Sequence, residues 1–229
     1  MQYGLLVVMG TVMGVTMRRV VFLRRQGFPG AARRLYRRAA LVMGLAAWAA
    51  MAAQEAMLLG AGLLTWRTGL PLHLCSLMGV LLLPMLLSGS PFLWHVSLFL
   101  GLPGGLMAVL FPSVVQTPWP QWMHLAFHTL HCMVVLAPLL PLSLGRLPSP
   151  VGAVQAGLFL AVLALVDLAV NHLTGGNYLF LSLPAAGTPL SALARHGVGV
   201  YRLSLGTLCA LLLLAEAAVV RLTTLRRVG

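Results

Sequence analysis

Residues 70–87 read LPLHLCSLMGVLLLPMLL, an apolar run without a charged side chain. A run of about twenty apolar residues can cross a hydrocarbon core of roughly 30 Å as a helix. Comparable runs recur along the chain and predict an all-α fold, a polytopic membrane helical bundle of about seven transmembrane helices. The predicted spans lie near residues 3–22, 39–64, 71–88, 92–111, 122–141, 151–173 and 200–220. The sequence LPGG in the fourth span predicts a kink in that helix.

The composition indicates a membrane protein along the whole length. Of the 229 residues, 60% are hydrophobic and 8% are charged, and the mean hydropathy is +0.96. We predict a single integral membrane domain over residues 1–229, in a multi-pass protein of the cell membrane. The first ten residues lack the basic segment of a signal peptide, so we expect a retained first helix.

The net charge of +12 comes from arginines in short segments between the apolar runs. Such placement is typical of topology signals and of contacts with anionic lipids, so we predict membrane lipids as partners and no nucleic acid. The first loop and its flanks hold Arg18, Arg19, Arg24, Arg25, Arg33, Arg34, Arg37 and Arg38. This cluster predicts a cytoplasmic first loop, an N-terminus outside and a C-terminus inside. The oligomeric state is left open.

Four ionisable or reactive side chains lie in the apolar spans at similar predicted depths. At a rise of about 1.5 Å per residue, they lie roughly 6 to 14 Å below the outer edge of the membrane. They are Glu55, Cys75, His131 and Asp167. Because such groups are costly in lipid, they are expected to face protein or water. Their convergence predicts a site open to the non-cytoplasmic side.

Cys75 has a specific physical argument for reactivity. Pro71 suits the first turn of a helix, which would place Cys75 near the positive end of the helix dipole and favour the thiolate. Gly79, one turn further, is expected to leave room beside the sulfur. His73 is two residues away and points elsewhere on a helix, so it is not the obvious base. The alternative is that Cys75 is a small buried apolar residue.

Residues 121–132, QWMHLAFHTLHC, carry three histidines on one helical face. Imidazole binds zinc, copper and iron, so His124, His128 and His131 are compatible with a stripe of metal ligands. His131 is the deepest of the three, where an ionisable side chain is most costly, so it is the one for which a functional role is most expected. We favour one working histidine, His131, and predict no bound metal and no cofactor.

Four motifs occur in the order seen in YwaF-like bacterial integral membrane proteins. They are LPLHLCSL at 70–77, GLPGGLMAVLFP at 101–112, HCMVVLAP at 131–138 and GGNYLFL at 175–181. The chain thereby resembles the family of animal transmembrane protein 164, which is described as a cysteine-dependent acyltransferase acting on lysophospholipids. The resemblance implies a Cys75 nucleophile and a His131 base, with Asp167 or Glu55 orienting the histidine. His73, Glu55, Asn177 and Tyr178 are the predicted substrate-binding residues.

Two functions are therefore carried forward. The first is an intramembrane, cysteine-dependent acyltransferase or acyl hydrolase that acts on phospholipids and lysophospholipids. The alternative is a transporter of small molecules or metal ions, with a polar cavity lined by Glu55, Asp167, His128 and His131. A structural or sensory protein without chemistry is the third reading.

Overall fold

The computed structural model describes residues 2–112, 121–184 and 189–225. The α-helices are α1 (Gln2–Arg25), α2 (Pro29–Gly60), α3 (Leu74–Ser88), α4 (Pro91–Val96), α5 (Leu102–Leu110), α6 (Gln121–Leu136), α7 (Pro150–Thr174) and α8 (Val198–Leu225). Short 3₁₀ segments are Ala137–Leu144, Tyr178–Phe180 and Pro189–His196, and a π-helical turn, Ser97–Gly101, joins α4 to α5. No strand occurs among the described residues. The predicted all-α class is confirmed.

Within the described residues, six helical stretches are long and apolar enough to cross a membrane. They are Gly4–Arg25, Pro29–Gly60, Pro91–Leu110, Trp122–Leu144, Pro150–Thr174 and Val198–Thr223. The remaining predicted span, residues 71–88, corresponds to the shorter helix α3, whose 15 residues extend about 22 Å. The segment before α3 contacts the end of α7, because the Tyr178 hydroxyl donates to the Trp66 carbonyl. The turn after α3 contacts the loop before α7, so α3 still connects the two ends of the bundle.

The fourth predicted span is one helical stretch that contains a π-helical turn. The π-helical turn Ser97–Gly101 lies directly before Pro103, the proline of LPGG. Because proline has no N–H, it cannot donate to the carbonyl four residues earlier, and a π turn accommodates the lost bond. Ser90 caps the start of this span by accepting from the Leu93 amide, and Pro91 follows as its first residue. Local sequence thus explains both the start and the π-helical turn.

Helix α6 is the centre of the bundle and α8 is its periphery. In the apolar 18-residue window of the span Trp122–Leu144, 78% of the residues are buried, against 6% in the corresponding window of Val198–Thr223. The core of α6 packs against α2, α3 and α5, with Leu130 and Val134 fully enclosed. Side chains on α6 therefore face protein, whereas most of α8 is left for lipid.

Arginines fasten loops at two opposite ends of the bundle. At one end, Arg24 donates to the Ser143 carbonyl at 2.9 Å and Arg146 donates to the Gly89 carbonyl at 2.9 Å; this is called the inner end. At the opposite end, Arg67 donates to the Thr174 carbonyl at 2.7 Å and Arg202 to the Leu181 carbonyl at 2.8 Å; this is the outer end. Alternation of the predicted spans from a cytoplasmic first loop puts Arg24 and Arg146 on one side, and Arg67, Arg195 and Arg202 on the other. The four bonded arginines are divided between the two ends in the same way, while the orientation in the membrane stays a prediction.

Candidate functional site

Cys75 is the second residue of α3, as the sequence pattern predicted for a cysteine near a helix start. Its thiol is free and partly buried. No side chain caps the helix, whose N-cap residue is His73. The amides of an uncapped first turn have no partner inside the helix, so they are available to a ligand.

The space beside the Cys75 sulfur is set by α5 rather than by Gly79. A Cβ atom on Gly79 would lie 2.7 Å from both Leu130 Cδ1 and Met51 Sδ, so that side is already filled. The expectation that Gly79 leaves room beside the sulfur is therefore wrong. A Cβ atom on Gly104 would lie 3.1 Å from Leu74 Cδ2 and 3.9 Å from Cys75 Sγ, so Gly104 packs against the first turn of α3 and lies near the sulfur.

The next glycine of the same motif faces the helix that carries His131. A Cβ atom on Gly105 would lie 3.2 Å from the His131 carbonyl oxygen and 2.9 Å from Val135 Cγ2. Only a residue without a side chain fits such a close approach of two helices. Neighbouring glycines of α5 therefore pack against the sulfur of Cys75 and against the main chain of His131.

The ring of His131 has a defined orientation and tautomer. Its Nδ1 lies 2.7 Å from the Phe127 carbonyl oxygen, and the two rings are 4.1 Å apart. Because a carbonyl only accepts, Nδ1 must carry the proton, and in the neutral ring Nε2 then holds the lone pair. A main-chain carbonyl therefore orients His131, which is the role that the resemblance implied for Asp167 or Glu55.

The neighbouring histidines of α6 follow a similar local pattern. His128 Nδ1 lies 2.7 Å from the His124 carbonyl oxygen, and His128 is buried. Among the residues that the structure describes, no three His, Cys, Asp or Glu side chains are arranged to hold a metal ion. The metal-stripe alternative thus finds no ligand set there.

His73 lies under the loop that carries the GGNYLFL motif. Its ring centroid is 5.3 Å from that of Tyr178 and 5.1 Å from that of Phe180. Leu179 and Phe180 both have positive φ angles, 51° and 55°, which are uncommon and strained for such side chains. The Tyr201 hydroxyl donates to the Phe180 carbonyl at 2.8 Å, which helps to hold this turn over His73.

Tyr178 joins three segments of the outer end. Its hydroxyl donates to the Trp66 carbonyl at 2.9 Å and accepts from the Leu70 amide at 3.1 Å. Its amide donates to Asn171 Oδ1 at 2.7 Å, and Asn171 Nδ2 donates back to its carbonyl at 3.0 Å. The sequence interpretation missed Asn171, whose position at the end of a span suggested only a cap.

Asn177 shapes the same loop from within. Its side-chain oxygen accepts from the amides of Ser182 and Leu183 at 2.9 and 3.0 Å. Its Nδ2 donates to the Leu183 carbonyl at 2.9 Å. These bonds give Asn177 a structural role; its predicted contact with substrate stays a prediction.

The two carboxylates predicted for the site lie near Tyr178. Burial raises the pKa of the Tyr178 hydroxyl, the bond from Leu70 lowers it, and the charges of Glu55 and Asp167 raise it further. Asp167 is fully buried, and neither of its oxygens has a hydrogen-bond partner in the described part of the chain. Buried polar groups are normally paired, so the two oxygens of Asp167 stand out; Glu216 Oε2 on α8 is likewise buried without a partner in the described part of the chain.

The described residues thus hold a thiol at the start of α3, an imidazole on α6 that is oriented by a main-chain carbonyl, and two carboxyls whose charges act on Tyr178 below a strained turn. A family model described as the TMEM164 family matches residues 3–217 of the chain. No curated protein and no solved structure matches it.

Proposed function

The chain belongs to the TMEM164 family of multi-pass membrane proteins, and we propose that it is a cysteine-dependent acyltransferase or acyl hydrolase of the cell membrane. Its substrates are phospholipids and lysophospholipids of the lipid in which the helices are embedded. The observation that carries the proposal is the packing of Cys75 Sγ and the His131 main chain against Gly104 and Gly105. Adjacent positions on one helix keep the nucleophile and the base in the same part of the bundle.

The first half-reaction is the transfer of an acyl group to sulfur. His131 Nε2 takes the proton of the Cys75 thiol as the sulfur attacks the ester carbonyl carbon, which forms a C–S bond. The C–O bond of the ester then breaks, and the leaving lysolipid oxygen takes the proton back from the imidazolium. Because the thiol is partly buried, we write this step from the neutral thiol and neutral imidazole.

The second half-reaction regenerates the thiol. His131 Nε2 removes the proton from the hydroxyl of a lysophospholipid, or from water in the hydrolase reaction. The oxygen attacks the thioester carbon, the C–S bond breaks, and the sulfur takes the proton from the imidazolium. Uncapped amides at the start of α3 stabilise the oxyanion in both halves, as amides at helix N-termini do.

The remaining predicted residues receive roles around the reacting atoms. Asp167 accepts a hydrogen bond from a donor of the bound lipid other than the acceptor hydroxyl, such as a headgroup ammonium, which supplies a partner for one of the oxygens that lack one among the described residues. His73 and Tyr178 form one wall of the substrate site through their ring contact. Glu55 adds a second carboxyl near Tyr178, and Asn177 holds the loop in shape.

The test follows a labelled acyl chain. Full-length protein is reconstituted with a phosphatidylcholine that carries an isotope-labelled acyl chain and with a lysophospholipid acceptor. Mass spectrometry measures the labelled diacyl product, the free fatty acid and a hydroxylamine-sensitive adduct on the peptide containing Cys75. We expect transfer or release of the label with the wild-type protein and neither with Cys75→Ser.

The matched control is Cys209→Ser, which removes another partly buried thiol from α8. This variant should keep the full rate, since Cys209 lies on the peripheral helix. Equal rates for Cys75→Ser and the wild type would overturn the proposal.

The transporter alternative has one observation in its favour, which is the buried Asp167 whose oxygens have no partner in the described residues. A carboxyl of this kind also suits a passing cation or amine. A proteoliposome uptake assay separates the two functions. Transport would survive Cys75→Ser and would be lost in Asp167→Asn, whereas acyl transfer requires the thiol.

A further inference from the structure

A pocket that the proposed chemistry does not use opens at the outer end of the bundle. Its volume is about 450 Å³, and it is lined by Thr65, Trp66, Arg67, Leu173 and Thr174. We propose that this Arg67 pocket binds the phosphodiester group of a membrane lipid. The proposal rests on the proposed function in one respect, since the bound lipid is the one whose ester reaches Cys75.

The guanidinium of Arg67 is held in place by the protein. Its Nε donates to the Thr174 carbonyl at 2.7 Å. Gly175, which has a φ of +69°, lies beneath it, and a Cβ atom there would be 3.3 Å from Nε, Cζ and Nη2. This contact fixes the plane of the fork and leaves the N–H groups of Nη1 and Nη2 for a ligand. A planar fork of this kind matches the oxygens of a phosphate.

The surroundings of Arg67 favour a lipid as the source of the phosphate. Trp66 is 75% exposed and Leu173 is 82% exposed, both at the ends of apolar segments. Tryptophan at such a position typically lies at the level of the lipid headgroups. An anion in this pocket therefore has apolar side chains on either side, which suits a lipid headgroup better than a free ion.

The pocket is connected to the candidate active site through Tyr178. The Trp66 carbonyl, in the wall of the pocket, accepts from the Tyr178 hydroxyl at 2.9 Å. The Tyr178 ring in turn contacts His73, two residues before Cys75. In a glycerophospholipid the phosphate and the acyl esters share one glycerol, so one molecule can present its phosphate to Arg67 and an ester towards Cys75.

The test measures binding without turnover. Full-length Cys75→Ser protein in a maltoside detergent is titrated with dihexanoylphosphatidylcholine by calorimetry, with and without the added change Arg67→Gln. We expect Arg67→Gln to weaken binding about tenfold or more, as removal of a charge-assisted, bidentate contact does. The matched control is Arg195→Gln, which removes an exposed arginine on the same predicted side and outside the pocket.

Each other outcome has a definite meaning. Equal weakening by Arg67→Gln and Arg195→Gln overturns the pocket and indicates general surface charge. Binding of uncharged dihexanoylglycerol with the same dependence on Arg67 also overturns it. Competition by inorganic phosphate at equal concentration overturns the lipid assignment in favour of a free anion.

Two further measurements keep the result clear. If Arg67→Gln does not fold, Arg67→Lys replaces it, and an affinity equal to that of the parent protein contradicts bidentate binding. If lipid binding does not depend on Arg67, the acyl-transfer assay can still be interpreted, because it compares the wild type with Cys75→Ser. The two proposals can therefore fail separately.

Discussion

At both ends of the bundle, arginine side chains donate hydrogen bonds to loop carbonyls, but the surroundings of these bonds differ. At the inner end, Arg24 and Arg146 donate to loop carbonyls, and the Tyr36 hydroxyl donates to the Leu86 carbonyl at 3.1 Å. At the outer end, Arg67 also holds a loop carbonyl, yet Asp167 keeps two buried oxygens without a partner among the described residues. A buried oxygen without a described partner also occurs in the inner half of α8, at Glu216 Oε2, so what distinguishes the outer end is that both oxygens of Asp167 lack a partner beside a strained turn.

This difference between the two ends indicates where a ligand would bind. A buried polar group without a partner is expensive, so a protein keeps one mainly where another molecule supplies the bond. Strain points the same way, because Leu179 and Phe180, at the outer end, are the described non-glycine residues with positive φ. The comparison therefore supports placing the proposed chemistry at the outer end, where the strained turn and Asp167 lie.

The largest effect is expected from the base. Changing His131 to Gln should lower the rate of acyl transfer by about 10²–10⁴-fold, because the lone pair on Nε2 is lost. His128→Gln is the matched control, since His128 is also buried on α6 and bonds the carbonyl four residues earlier. The rates are measured by the labelled-acyl assay. A similar loss in both variants would show that the site is not centred on His131.

The next effect concerns the close approach of α5 to α6. Gly105→Ala places a Cβ atom 2.9 Å from Val135 Cγ2 and 3.2 Å from the His131 carbonyl oxygen. The helices must move apart, which should cost about 1–3 kcal/mol of unfolding free energy and lower the acyl-transfer rate. Gly206→Ala on α8 meets nothing within 4 Å and should leave both quantities unchanged or slightly raise stability. Denaturant unfolding in mixed micelles measures the first quantity.

A smaller effect should separate the two ends through their tyrosines. Tyr178→Phe removes two hydrogen bonds at the outer end, so we expect a loss of about 1–3 kcal/mol of stability. Tyr36→Phe removes one at the inner end, at about 0.5–1.5 kcal/mol. Only Tyr178→Phe should also reduce acyl transfer. Loss of activity in Tyr36→Phe would contradict the division between the ends.

The smallest effect is a pH dependence of stability from His73. Burial lowers the pKa of His73 from its usual 6.5. Below pH 6.5 His73 is therefore protonated in the unfolded chain but stays neutral in the folded chain until the pH is lower. The contribution of neutral His73 is complete above pH 6.5 and declines as the pH falls, by at most about 1.4 kcal/mol per pH unit. Thermal unfolding between pH 5 and 8 measures the slope, which His73→Phe should reduce. An unchanged slope would mean that His73 is solvated.

Much of the fold follows from local properties of the sequence. The length of an apolar run fixes whether a helix can span the membrane, so the predicted spans correspond to the observed helices. Pro103 accounts for the π-helical turn, because a proline in a helix always removes a bond. Helix α3 is shorter than its predicted span because its first residue is Leu74 instead of Pro71, and α6 ends at Leu136 and continues as a 3₁₀ segment to Leu144.

The site required tertiary information for a different reason. Spacing along a helix tells which face a residue occupies, but it does not tell which neighbour faces it. The sequence therefore identified Cys75 and His131 but assigned the space beside the sulfur to Gly79, while Gly104 lies near it. It also did not single out Asn171, which exchanges two hydrogen bonds with Tyr178.

By itself, then, the sequence determined the helices and the apolar runs that form them, and it identified the candidate side chains within these runs, because these features depend on composition and local spacing. Only the tertiary structure decided that neighbouring glycines of α5 meet Cys75 and His131, and that the carboxyls lie near Tyr178. Those pairings depend on how separate helices pack, and packing is set by the shapes of surfaces far apart in the chain.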